Sequence, residues 1–259
     1  MRKFLTITLL IALFSAYHVK TSTAGEKNHP QQPEKVQFNA ADGLPITAHL
    51  YHLSEKAPVI VLCHQALFNK HEYAGVAERL NSLGFNCLAI DQRSGGPIAN
   101  YINETNLAAV KAGKGVDFLD AEPDLMAALK YADQKYHTPI VLWGSSYSST
   151  LALYIGAENE MVNAVVSFSP GNYLADKRGD LVEKLKDYKR PLFVTSSKRE
   201  APRVTELMKK MQRTPLQRQF IPEEYGHHGS RALWKYQRGG KEYWDAIEKF
   251  LKDFLATVQ

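Results

Sequence analysis

The sequence predicts an α/β protein built on a mostly parallel sheet with helices over both faces. Short, wholly apolar runs such as "VIVLC" (Val59 to Cys63) and "PIVLW" (Pro139 to Trp143) read as strands buried on both sides. Helical patterns separate most of these runs, and that alternation implies crossover connections and hence parallel pairing. The extended pair "VQFNAADGLPITAHLYH", turning at Asp42 and Gly43, adds a leading antiparallel hairpin. With 259 residues, 44% of them hydrophobic, the chain can bury one sizeable core.

The elements follow in order. Arg2 and Lys3 precede the apolar "FLTITLLIALFSAY", and the small residues Ser22, Thr23 and Ala24 follow it. Residues 1–24 therefore read as a signal peptide cleaved after Ala24, which makes the mature protein secreted or periplasmic. The apolar run is shorter than the ~20 residues of a bilayer span, so no stable membrane anchor is expected after cleavage. No cysteine follows the run to accept a lipid. Residues 25–35 are polar and carry prolines, as a linker does, and residues 36–259 form a single domain. Beyond the hairpin and the two runs already named, strands are expected at "NCLAID" (Asn86 to Asp91), "AVVSF" (Ala164 to Phe168), "PLFVTS" (Pro191 to Ser196) and "QRQFI" (Gln217 to Ile221). Helices are expected at "EYAGVAERLNSLG", "DAEPDLMAALKYADQKY" and "EYWDAIEKFLKDFL". The stretch from Asp91 to Asp120 lacks strong periodicity and leaves a strand at the sheet's carboxyl edge, so it is a candidate pocket wall. The connection from Pro170 to Pro191 is too short for a large cap domain.

Charge narrows the partners. The formal +5 falls to +2 once Arg2, Lys3 and Lys20 leave with the signal peptide. The basic and acidic residues that stay are interleaved, and no stripe exists to track phosphates, which argues against nucleic acid. Cys63 and Cys87 fall at opposite ends of neighbouring strands, about 10 Å apart or more, so they are not expected to pair. His227 and His228 are adjacent and have no Cys or Asp cluster beside them, a poor arrangement for a metal. No cofactor is expected. The sequon at Asn103 would matter only in a eukaryotic secretory path.

The stretch "VLWGSSYSST" (Val141 to Thr150) passes from a strand through Gly144, Ser145, Ser146, Tyr147 and Ser148 into a helix. A side chain on such a turn stands clear of the sheet's carboxyl edge, beside the free amides of the helix N-terminus. A sharp turn needs small residues two before and two after its apex, and Gly144 and Ser148 flank Ser146 in this way. Capping of the helix by the serines is the plainer reading, and Ser148 and Ser149 could do it without Ser146.

Here the chain resembles the α/β-hydrolase family, whose G-x-S-x-G elbow is matched except for Ser148 in place of the last glycine. "VIVLCHQA" resembles that family's third strand and oxyanion loop, with Gln65 where glycine is usual. "AIDQRSGG" resembles the fourth strand with its exit, and "EEYGHHGS" the loop carrying the catalytic histidine. The likeness covers nearly the whole mature chain, and the compact size is similar to that of the dienelactone-hydrolase-like branch. The resemblance implies an α/β-hydrolase fold and a serine hydrolase of the carboxylesterase type, acting on small or activated esters. Ser146 is then the nucleophile, and His228, followed by glycine, is the base in preference to His227. Glu200 is the acid, with Asp176 and Asp180 in reserve. Backbone amides of Tyr147 and Ala66 are the expected oxyanion donors, and His64 props their loop. The same triad would also suit a peptidase or acyltransferase, and the departures at Ser148 and Gln65 leave room for an inactive binding protein.

Overall fold

The computed structural model describes residues 32–98 and 100–258. The expected signal peptide, its expected cleavage site and most of the expected linker lie outside the described residues. The first strand, β1 (Glu34–Asn39), begins two residues before the expected domain boundary. It pairs antiparallel with β2 (Pro45–Tyr51), and β2 pairs antiparallel with β4 (Asn86–Ile90). The remaining strands, β3 (Val59–Cys63), β5 (Ile140–Ser145), β6 (Val162–Phe168), β7 (Leu192–Thr195) and β8 (Gln217–Phe220), run parallel. The eight-stranded order is β1-β2-β4-β3-β5-β6-β7-β8.

Strand alternation divides the core between the two faces. Val59, Val61, Leu88, Ile90, Ile140 and Leu142 point to one side, where α3 (Glu122–Tyr136) and α4 (Tyr147–Glu158) cover them. Ile60, Leu62, Cys87, Ala89, Val141 and Trp143 point to the other, under α1 (Ala74–Ser82) and α8 (Gly240–Val258). The closing helix shows why it packs there: Tyr243, Trp244, Ile247, Phe250, Leu251 and Phe254 recur at helical spacing and are all buried. Both cysteines are free, and the register pairs Cys63 with Ile90 and Cys87 with Ile60, three residues apart along the strands.

Two details differ from expectation. β5 runs on to Ser145, which brings the strand to the very foot of the serine turn. The stretch after Asp91 contains a two-turn helix, α2 (Glu104–Lys111), capped by the Asn103 side chain, which accepts the Asn106 amide at 2.8 Å. Asn103 is 2% exposed and its amide nitrogen donates to the Gln92 carbonyl at 2.9 Å, so the sequon is closed to modification in the folded chain. The connection between β6 and β7 holds only two short helices, α5 (Ala175–Arg178) and α6 (Leu181–Leu185).

The β4 exit is pinned by a buried ion cluster. Arg93, 3% exposed, donates from Nε to Asp124 at 2.9 Å and from a terminal nitrogen to Asp42 at 2.8 Å, joining the hairpin turn to α3. Burial pushes the Asp124 carboxyl up to about 6, against the pull of the guanidinium. Removing one partner of a buried pair strands the other, so Arg93→Met should lower stability by about 3 kcal/mol. For a chain of this size that is a fall of roughly 6–12 °C in Tm, read by thermal denaturation. A Tm within about 2 °C of wild type would contradict the role assigned to the cluster.

Candidate active site

The turn between β5 and α4 is tight for reasons visible in the residues. Ser146 adopts φ 59° and ψ −123°, a conformation that side chains rarely take and that costs about 1–3 kcal/mol. Its amide donates to the Phe168 carbonyl at 2.8 Å, and its carbonyl accepts the Ser149 amide at 3.0 Å. Gly144 permits the turn, because a Cβ there would stand 2.3 Å from the Ser148 carbonyl oxygen. Ser148 does more than a glycine could. Its hydroxyl donates to the Cys63 carbonyl at 2.8 Å and accepts the Ser145 amide at 2.9 Å, tying the elbow to the end of β3.

Three of the side chains singled out in the sequence meet here. Ser146 Oγ lies 2.8 Å from His228 Nε2, and His228 Nδ1 lies 2.6 Å from Glu200 Oε1. A carboxylate only accepts, so Nδ1 carries the proton and Nε2 is free to accept the serine hydroxyl. Glu200 stands just beyond β7, at the start of α7 (Ala201–Leu207). Burial alone would raise its carboxyl, but hydrogen bonds from His228 and the Ser197 and Ser169 hydroxyls hold it down at about 2. Ser169, just after β6, accepts the Gly229 amide at 2.9 Å with the same hydroxyl and so braces acid and histidine loops together.

The alternatives stand apart. The His227 ring faces the Arg238 carbonyl at 3.0 Å and the Gln237 side chain. Asp180 caps α6 through the Val182 amide at 3.0 Å, and Asp176 is an exposed residue of α5. Neither aspartate bonds to the histidine.

Tyr147 opens α4 and Ala66 follows β3, and among the described residues neither backbone amide donates to a protein acceptor. The loop bearing Ala66 is held by His64, which is fully buried. Its Nε2 accepts the Gln92 amide at 2.9 Å, which leaves Nδ1 to donate to the Gln65 carbonyl at 2.8 Å. Burial pushes its imidazole down to about 4, so the ring is a neutral prop. Among the described residues no group of three His, Cys, Asp or Glu is placed to hold a metal ion.

Comparison with solved structures follows this geometry. The chain superposes on an esterase of Pyrococcus furiosus with a TM-score of 0.67 at 18% identity, covering 86% of this chain and 91% of that one. It matches a dienelactone hydrolase of Anabaena variabilis at 0.64 and 17%, covering 86% and 98%. Est1E of Butyrivibrio proteoclasticus, solved with ferulic acid, gives 0.65 and 14%, covering 85% and 99%. This is the α/β-hydrolase fold. No family model matches the sequence. Among curated proteins, the quorum-quenching protein AidA of Acinetobacter baumannii is 28% identical over 152 residues, 55% of this chain and 45% of that protein. The chain thus spans about half the length of that relative.

Within the α/β-hydrolase fold, several supporting residues carried no signal in the sequence. Tyr147 matters through its side chain as well as its amide: the buried phenol accepts from Gln92 Nε2 at 2.6 Å and meets the Ser94 hydroxyl, binding the elbow to the β4 exit. Phe118 stacks on its ring at 4.4 Å. Ser169 could have been suspected only as a small polar residue at a strand end, and Ser148 was legible as a small flanking or capping residue but not as the tie to Cys63. Gly229 explains the His-Gly pair, since a Cβ there would stand 2.6 Å from Ser145 Oγ.

Proposed function

We propose that the protein is a serine hydrolase that cleaves small carboxylic esters through an acyl-enzyme on Ser146. The observation that carries this reading is the unbroken chain of short contacts from Ser146 Oγ to His228 Nε2 and from His228 Nδ1 to Glu200. In the first half of the cycle, His228 Nε2 takes the Ser146 proton as Oγ bonds to the ester carbonyl carbon, and the carbonyl oxygen gains the negative charge. The amides of Tyr147 and Ala66 stabilise that charge. Collapse of the intermediate breaks the bond to the alkoxide, which leaves with the proton from His228. Water then repeats the sequence on the acyl group and releases acid and free Ser146. Glu200 stays ionised throughout, orients the imidazole and offsets the charge it acquires.

A fluorophosphonate probe tests this directly. The adduct is expected on Ser146 by mass spectrometry, and wild-type labelling of Ser146→Ala would refute the assignment. The short connection between β6 and β7 forms no deep acyl tunnel, so short-chain activated esters should turn over faster than long-chain ones. Faster hydrolysis of long-chain triglycerides would contradict that open-site argument. Export belongs to the same proposal: N-terminal sequencing of the mature protein should begin at Gly25, and soluble protein beginning at Met1 would refute it. A second reading, quorum quenching by the same hydrolytic site, rests on the likeness to AidA. It predicts loss of a signalling reporter's response on wild-type treatment but not on treatment with Ser146→Ala.

A further inference from the structure

Behind the elbow stands a buried carboxylate that the acyl-transfer steps do not use. Glu72 lies in a short 3-10 turn, Lys70–Tyr73, and is 1% exposed. Its Oε2 accepts the Gln65 amide at 2.8 Å and its Oε1 accepts the Ser145 hydroxyl at 2.9 Å. The same hydroxyl accepts the Ser230 amide at 2.9 Å. One side chain therefore bridges the loop after β3, the elbow and the histidine loop. Glu72 is itself anchored, because Trp234 Nε1 donates to its backbone carbonyl at 2.8 Å and the neighbouring Tyr73 hydroxyl donates to the Cys63 carbonyl at 2.7 Å. Gln65 is pinned at both ends of its backbone, by Glu72 at the amide and by His64 at the carbonyl.

Resting on the reading of Ser146 as nucleophile, we infer that Glu72 is a positioning residue of the active site. Its two carboxylate oxygens fix the spacing between Gln65, which precedes Ala66, and Ser145, which stands two before Tyr147. Those are the residues leading into the two oxyanion-stabilising amides. Both amides must reach one oxygen at about 2.7–3.1 Å, and a misplacement of about 1 Å can cost 10²-fold in rate. Stability gives no reason for the choice, since burying a carboxylate is costly where an apolar side chain would pack. All the bonds that this carboxylate makes go to the loops of the site.

The charge has its own consequence. Burial pushes the Glu72 carboxyl up to about 7, against its hydrogen bonds from Gln65 and Ser145 and the charges of Arg231 and His228. Those two charged groups and the neighbouring Tyr73 face Glu72. Ionised Glu72 favours the imidazolium that His228 becomes on taking the serine proton, so raising the pH through 7 adds to the rate.

The test compares kcat and KM for p-nitrophenyl acetate in wild type, Glu72→Ala, Glu72→Gln and Ser145→Ala, with folding checked by thermal denaturation. Glu72→Ala should lose roughly 10- to 100-fold in kcat with KM within about threefold. Glutamine keeps an acceptor for Gln65 and offers an N–H to the Ser145 hydroxyl, so Glu72→Gln should recover to within about threefold of wild type. Its pH–rate profile should lose the ionisation that Glu72 contributes. Wild-type kcat in Glu72→Ala, or equal impairment in Glu72→Gln and Glu72→Ala, would overturn the proposal. If Glu72→Ala fails to fold, Ser145→Ala removes one end of the bridge and should give the same split of kcat against KM; wild-type kcat there overturns it as well. If fluorophosphonate leaves wild-type Ser146 unlabelled, the serine reading itself fails. Hydrogen exchange at the Gln65 amide then decides the bridge alone, with faster exchange in Glu72→Ala expected and unchanged exchange against it.

Discussion

His228→Ala should lower kcat toward activated esters by roughly four to six orders of magnitude, while His227→Ala stays within about tenfold of wild type. The two residues are neighbours in sequence, and the difference lies in what each ring can reach. The His228 ring bridges Ser146 and Glu200 through its two nitrogens, at 2.8 and 2.6 Å. No other imidazole contacts the serine hydroxyl among the described residues, and a serine without its base is a weak nucleophile. The His227 ring packs against the Arg238 carbonyl and Gln237 and makes no hydrogen bond to Ser146. Because the groups act as a unit, the double variant of Ser146→Ala and His228→Ala should be little worse than either alone. Steady-state kinetics on the purified variants check both statements. Comparable losses at His227 and His228 would sink the assignment.

Which parts were legible in the sequence follows from how local their causes are. The two-faced strands could be read because burial on both sides leaves a run such as "VIVLC" with no polar residue, and α8 because its stripe repeats over about three turns. Helix α2 was not legible. Its two turns bury only Thr105 and Ala109, too few positions to set a period, and its start depends on Asn103 being drawn inward by Gln92 and Phe68. The elbow could be read because Gly144 and Ser146 obey local sterics. The roles of Ser148, Ser169 and Glu72 depend on Cys63, Gly229 and Gln65, partners brought together only when the parallel sheet aligns its carboxyl ends. The same holds for Gln65 and Ser148 as departures from the usual glycines. They look like losses in the sequence, yet each backbone or hydroxyl is built into a tie between loops.

Glu200→Gln is expected to leave the fold intact and to cut kcat by about 10³- to 10⁴-fold, by analogy with loss of the orienting carboxylate in the serine proteases. The amide preserves size but turns one end of the side chain into a donor. If its N–H₂ faces His228, two donors confront each other across a 2.6 Å contact, and relief requires the imidazole to move its proton to Nε2. Nε2 then no longer accepts from Ser146, and the hydroxyl is left without a base. The carboxylate also titrates far from the working range: held at about 2 by His228, Ser197 and Ser169 against the opposing effect of burial, it stays ionised in neutral and mildly acidic solution. A carboxyl held below its ordinary value near 4.5 stabilises the fold above that pH, and the contribution is lost as the pH falls toward 2. The stability gap between wild type and Glu200→Gln should therefore narrow over that interval, which thermal denaturation across acidic buffers can follow. The aspartates of the neighbouring connection give the contrast. Asp180→Asn keeps a side-chain oxygen to cap α6, and Asp176→Asn changes an exposed residue, so both should turn over at near wild-type rates. Near-normal turnover in Glu200→Gln, together with collapse in either aspartate variant, would move the acid to the connection after β6.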